Sequence, residues 1–303
     1  NPPVVFFIQG YTCQTVEMPN WNPIKKLIGD WLKAGFAVYM VEKPGMGDSQ
    51  SDMPCMQIDF NGELKAFSQA YSTLQQNKQI DSKNIFLFGH SMGGVIAPLL
   101  SQVNKPKGIM VYGIMGKNWY DYMLDIFTEQ RKLLGATDEE ISEALKYDQP
   151  FIYDMLIRKK TNHELISTAN YAGHLEQKGI AKDLKEGYYL QRHYTFWQTL
   201  ADVDISKAWA KVEAPVYVLH GEYDIQAIAP EHGKLIVTHV IAHGGNARFE
   251  VIPKTEHAFL HFDSMEQNIQ VRSDGTYRNA LASRYNPEVA KLSIEWMKQL
   301  LEE

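Results

Sequence analysis

No stretch of this chain is apolar for long enough to span a bilayer. No excess of positive charge marks out a face for nucleic acid or an anionic membrane either: 30 Lys and Arg stand against 36 Asp and Glu, a net charge of −6. Internal repeats and low-complexity tracts are absent. Cysteine is scarce, with 2 in 303 residues. Cys13 follows the first expected strand and Cys55 lies in the loop after the second. If those strands are parallel neighbours, both loops rise above one sheet edge, and a disulfide needs only Cα atoms within about 7 Å. Two unrelated free thiols are the other reading. The bridge would carry with it an extracytoplasmic setting, periplasmic or secreted. No signal segment is visible, but the chain opens Asn1-Pro2-Pro3 rather than with Met. Removal of earlier residues is therefore expected, and the missing signal does not argue for the cytoplasm.

What is present is an ordinary globular composition, 45% hydrophobic and 22% charged, enough core for one large α/β domain or two smaller ones. Val4-Val-Phe-Phe-Ile8 reads as a strand covered on both faces. A helix follows from about Asn22 to Ala34, with Pro23 in its first turn and Gly35 beyond its end. Phe36–Val41 reads as a second strand, about Ile58–Gln76 as a helix, and Ile85–Phe88 as a third strand. This alternation predicts a doubly wound, mostly parallel sheet. Lys107–Gly113 is a fourth strand, and residues 117–207 then show helical periodicity rich in aromatics. They are expected to form a helical insertion rather than an independent domain, with 1–116 and 208–303 as the core. The sheet resumes at Ala214–His220 and Arg248–Ile252, separated by a helix near Glu231–Ala242. A polar loop containing Asp274-Gly275 and a closing helix from Pro287 complete the chain.

The chemistry centres on Gly89-His-Ser-Met-Gly-Gly94. A strand runs into G-x-S-x-G and then a helix, the context of a nucleophile elbow. Side chains at Gly89 and Gly93 would collide with the adjoining elements, and the helix N-terminus favours negative charge at the Ser91 oxygen. A serine nucleophile needs a base, and the base an orienting acid. Asp224 follows the fifth strand and His257 the sixth, in the chain order Ser, Asp, His. Glu222 and His261 are the rivals. His90 is expected to pack beside the elbow, and His220 to be a structural hydrogen-bonding group. His239 and His243 lie one helical turn apart, but no third metal ligand has matching spacing. Neither metal nor cofactor is expected. The oxyanion donors should be the backbone N–H groups of Met92 and, from the loop after the first strand, Tyr11, with Thr12 as alternative.

Those motifs resemble the α/β-hydrolase family over nearly the whole chain. Gly89–Gly94 matches its elbow, Gln9-Gly10-Tyr11 stands where members usually carry His-Gly, and Pro44-Gly-Met-Gly-Asp-Ser49 resembles their post-strand turn. His220-Gly-Glu-Tyr-Asp224 and Glu256-His257 match the acid and base segments, and residues 117–207 occupy the position of the helical cap. The resemblance implies an α/β fold whose cap is inserted between two late strands. It also implies a serine hydrolase cleaving an ester or related acyl bond of a small-molecule substrate. An aminopeptidase of the prolyl-aminopeptidase kind, acting on short peptides, is the alternative, with Asp138-Glu139-Glu140 as candidate amine ligands. A non-catalytic binding protein is the third reading. In this alignment the chain begins at the family's third strand, so the sheet edge near the N-terminus needs cover.

Overall fold

The computed structural model describes residues 1–303. Its chain opens with strand β1 (Val4–Ile8), helix α1 (Pro23–Lys33), strand β2 (Ala37–Tyr39) and helix α2 (Phe60–Gln75). Strand β3 (Ile85–His90), helix α3 (Gly93–Ser101) and strand β4 (Gly108–Tyr112) follow. After an insertion come β7 (Val216–Gly221), a helix Glu231–Ala242, β8 (Ala247–Ile252) and the closing helix Glu288–Glu302. Six strands form one parallel sheet in the order β2-β1-β3-β4-β7-β8. The chain moves outward from β1 to β2, then returns to place β3 on the other side of β1. That reversal is a switch point, where loops diverge and leave a crevice beyond the strand ends.

The central strands are buried on both faces, and their side chains alternate between them with the two-residue period of β structure. Phe6, Ile8, Leu87 and Val111 point to the face covered by α2, α3 and the insertion. Phe7, Phe88, Tyr112 and Leu219 point to the face covered by α1 and the closing helix, where Trp31 and Trp296 pack. Asn22 caps α1, accepting from Ile24 N at 2.8 Å, and Pro23 stands inside the first turn, where its lost N–H costs nothing.

Three expectations need correction. The second strand is shorter than Phe36–Val41; as the sheet edge it pairs only with β1 over Ala37–Tyr39. Edge position thus falls to β2 and not to β1, and its shortness limits the unpaired edge. The segment around Asp274-Gly275 is not a plain loop but two helices, Met265–Ser273 and Tyr277–Ser283. Periodicity missed them because polar contacts hold the first: Asn268 Nδ2 donates to the Tyr223 carbonyl at 2.8 Å, and Arg272 pairs with Glu256. The insertion is helical, with a 19-residue helix Asp138–Leu156, but it also holds a hairpin of β5 (Tyr188–Tyr189) and β6 (Arg192–His193).

Candidate active site

Ser91 sits between β3 and α3 with φ of 54°, a left-handed conformation that few non-glycine residues adopt. Close packing enforces the turn. A Cβ on Gly93 would lie 2.0 Å from the Ile8 carbonyl oxygen, and one on Gly89 would lie 2.6 Å from the Gly93 oxygen. The serine thus stands at the N-terminus of α3, beside the loop that leaves β1.

Asp224 follows β7 and is 1% exposed. Its Oδ1 accepts the N–H groups of Gln226 and Ala227 at 2.9 and 2.8 Å, and its Oδ2 accepts from His257 Nδ1 at 2.7 Å. Burial alone would raise the Asp224 pKa, but the charge and hydrogen bond of His257 outweigh it and hold the carboxyl at about 2. For His257 burial works downward. Attraction to Asp224, the shared hydrogen bond and the nearby Glu256 carboxylate overcome it, so the ring titrates above its ordinary value. With Nδ1 engaged, Nε2 is the nitrogen free to exchange a proton. Ser91 and His257 line one cavity of about 120 Å³, and no hydrogen bond joins the serine hydroxyl to the ring in this structure.

The rivals take other places. Glu222 is exposed and accepts from Lys254 N at 2.7 Å, and the His261 backbone N–H pairs with the Arg284 carbonyl. His90 is buried under His257, and its Nε2 meets the His257 carbonyl at 2.9 Å. A carbonyl only accepts, so Nε2 carries the proton; burial pushes the His90 pKa down to about 3 and keeps the ring neutral. His220 ends β7 as predicted but makes no hydrogen bond through Nε2. Burial lowers its pKa, so a neutral ring can tolerate that position. His243 Nδ1 meets the His239 carbonyl at 2.9 Å on the exposed surface.

Tyr11 and Met92 line, with Ser91, a second cavity of about 140 Å³. Neither residue's N–H enters a backbone hydrogen bond. Thr12 lines only the cavity on the His257 side.

Sequence reasoning missed what holds the Tyr11 loop. Glu63 of α2 is 1% exposed and pairs with Lys43 Nζ at 2.7 Å and Arg192 Nη1 at 2.8 Å. Lys43 also donates to the Gly10 carbonyl at 2.6 Å, and Arg192 to the Tyr11 carbonyl at 2.6 Å and the Ile58 carbonyl at 2.9 Å. The Arg192 guanidinium lies 3.8 Å from the Phe196 ring centroid. Cys13 is bonded to Cys55 with a Cα separation of 6.0 Å, tethering the same loop to the start of α2. Its strands are parallel neighbours, which is what the bridge required. One signal was legible: Glu63 interrupts the apolar stripe of Phe60, Phe67, Tyr71 and Leu74, and a carboxylate there must be paired when buried.

A parallel sheet with an elbow at its switch point defines the α/β-hydrolase class. Residues 21–264 match the family described as serine aminopeptidase, S33, and the chain belongs to that family. Among curated proteins none is significantly similar in sequence. Solved structures share the fold. A thermostable carboxyl esterase from Bacillus coagulans, in complex with glycerol, is 15% identical with a TM-score of 0.55, covering 99% of this chain and 90% of its own. Est1E from Butyrivibrio proteoclasticus, with ferulic acid bound, is 14% identical at TM-score 0.52, covering 91% and 88%. Proline iminopeptidase from Mycobacterium smegmatis is 17% identical at TM-score 0.50, covering 93% and 91%. The protein is a hydrolase of the α/β-hydrolase superfamily, and no helix in it is long and apolar enough to cross a membrane.

Proposed function

We propose that the protein is a serine hydrolase that cleaves an ester or related acyl bond of a small substrate through Ser91, His257 and Asp224. One observation carries the reading. A serine in a positive-φ turn shares a cavity wall with Tyr11 and Met92, whose N–H groups are free of backbone partners. His257 takes the Ser91 proton as Oγ attacks the acyl carbon, and Asp224 holds the imidazole and offsets its charge. The two N–H groups stabilise the oxyanion. His257 returns the proton to the leaving group, and water repeats the sequence to release the acid. The insertion from 117 to 207 serves as the cap over this site.

Ser91→Ala should remove turnover of p-nitrophenyl esters and labelling by a fluorophosphonate while the far-UV spectrum stays unchanged. Undiminished turnover in that variant ends the assignment. The aminopeptidase reading has the family description in its favour, but the lining of both cavities at Ser91 contains no carboxylate to hold a free amine. Asp138, Glu139 and Glu140 instead form the first turn of a helix with a Thr137–Glu140 capping box. Faster hydrolysis of aminoacyl-naphthylamides than of short acyl esters would reverse the preference. The Cys13–Cys55 bridge supports an extracytoplasmic setting; fractionation of the source cells that leaves the protein in the cytosol rejects it.

A further inference from the structure

Ser91 borders two chambers of similar size, and only one of them reaches the base. The first, about 140 Å³, is walled by Met115, Trp119, Tyr122, Ile126, Leu190 and Trp197, and no charged side chain lines it. The indoles of Trp119 and Trp197 are stacked at 4.9 Å, and the Tyr122 hydroxyl is occupied by the Gln226 carbonyl, which leaves its ring as wall. Ile126 comes from a π-helical turn, Ile126–Gln130, a distortion frequent where helices shape a site. The second chamber, about 120 Å³, is lined by Gln9, Thr12, Gln14, Met18, Ile24 and His257 and shares Tyr11, Ser91 and Gln226 with the first. His257 is absent from the first chamber and present in the second.

The reaction assigns the two. The group that departs must take its proton from His257, so it lies on the side His257 lines; the acyl group, which stays on Ser91, lies on the other. We propose that the aromatic chamber is an acyl pocket for a small, uncharged, ring-sized acid, and that the chamber lined by His257 takes a small alcohol. This rests on the reading of Ser91 as nucleophile. Size sets the limit: an apolar cavity of about 150 Å³ holds a single benzene, whereas pockets for larger ligands run to about 300–1,000 Å³. A benzoyl or short branched acyl group fills the chamber. A long unbranched chain does not fit, and an acid with a second carboxylate would be buried against aromatic walls without a partner.

Leu190 is the wall residue that sets this limit. It forms, with Gln191, the two-residue turn of the β5–β6 hairpin at φ of 45° and 64°, conformations a hairpin of this kind normally gives to Asn-Gly. Leucine is kept there against backbone strain. It is 43% exposed, whereas Arg192, two positions on, is fully buried against Glu63 and the Tyr11 carbonyl. The hairpin is thus anchored at its base and presents Leu190 at the chamber rim.

In the covalent step Ser91 Oγ bonds to the acyl carbon and its proton passes to His257 Nε2. The bond from the acyl carbon to the alcohol oxygen then breaks, and that oxygen takes the proton from His257. Water reverses the exchange and frees the acid. The test is a set of kcat/KM values for p-nitrophenyl acetate, isobutyrate, benzoate and octanoate, alongside methyl, glyceryl and octyl benzoates. Benzoate and isobutyrate should exceed octanoate by about tenfold or more. Leu190→Gly, which relaxes the backbone while opening the rim, should shrink that ratio and leave the ranking of alcohols as it was. Octanoate equal to or faster than benzoate in the parent enzyme overturns the acyl pocket. A Leu190→Gly effect confined to the alcohol series overturns the orientation. Both outcomes leave the nucleophile assignment standing if Ser91→Ala is inactive. Absence of any Ser91-dependent ester turnover overturns that assignment itself.

Discussion

Behind the Tyr11 loop two cations share one carboxylate; behind His257 one carboxylate is shared by a cation and a phenol. In the first cluster Lys43, Glu63 and Arg192 are all sealed from water, and burial drives the Lys43 pKa down to about 8 despite the Glu63 charge. Its donors end on the backbone carbonyls of Gly10 and Tyr11. In the second, the Glu256 carboxylate takes Arg272 and the Tyr277 hydroxyl, and accepts the Ala258 N–H at 2.6 Å. The Arg272 side chain keeps 24% of its exposure. Burial raises the Glu256 pKa, and Glu256 in turn helps raise that of His257. One cluster therefore fixes where a peptide N–H stands, while the other adjusts when a proton leaves. Both carboxylates are buried and paired; what differs is that Arg272 stays partly exposed while the cations on Glu63 are sealed.

The strongest way to break this contrast is to neutralise each carboxylate. Glu63→Gln leaves two sealed cations facing each other and should cost about 3–5 kcal/mol of unfolding free energy. Glu256→Gln keeps an acceptor for the Ala258 N–H and strands a partly exposed arginine, at about 2 kcal/mol. Urea titrations of both variants give the comparison, and equal losses erase the distinction. A smaller effect should appear in rate. Arg192→Met frees the Tyr11 carbonyl from one anchor and should lower kcat up to about a hundredfold, with KM changing less. A variant that loses only substrate affinity marks Arg192 as a binding residue and not a positioning one. The smallest effect concerns pH. In the proposed mechanism His257 must be neutral to accept the Ser91 proton; its pKa is raised from the ordinary 6.5, so activity should be lost as pH falls through a midpoint above that value. Glu256→Gln removes one of the charges that raise it, so the limb should move to lower pH. Glu63→Gln should leave the limb in place. A limb that does not move in Glu256→Gln removes the tuning role.

The chain disclosed the site better than its supports. The placement of the candidates Ser91, Asp224 and His257 at one end of the sheet was readable because each follows an apolar run, and a parallel sheet delivers such positions to one edge. Strand β1 came through with its bounds intact because both faces are buried, whereas β2 lost its ends at the sheet edge, where one neighbour holds it. The Lys43–Glu63–Arg192 cluster was not readable as a cluster, since Arg192 and Glu63 are 129 positions apart and no motif spacing joins them. The helices Met265–Ser273 and Tyr277–Ser283 escaped because hydrophobic periodicity does not register elements that dock through Asn268, Arg272 and Tyr277.

Arg192 belongs to the insertion by its place in the chain and, by its bonds to Glu63 of α2 and to the carbonyls of Tyr11 and Ile58, to the core beneath it. Lifting the insertion as a hinged lid would drag a guanidinium away from Glu63 and strip the Tyr11 loop of an anchor in the same motion, at several kcal/mol. Traffic into the aromatic chamber is cheaper past the half-exposed Leu190 than beneath a raised roof. On the proposed mechanism, entry past Leu190 needs only a side-chain rotation at the rim, on the nanosecond scale of exposed rotamers, and leaves the Tyr11 loop in place.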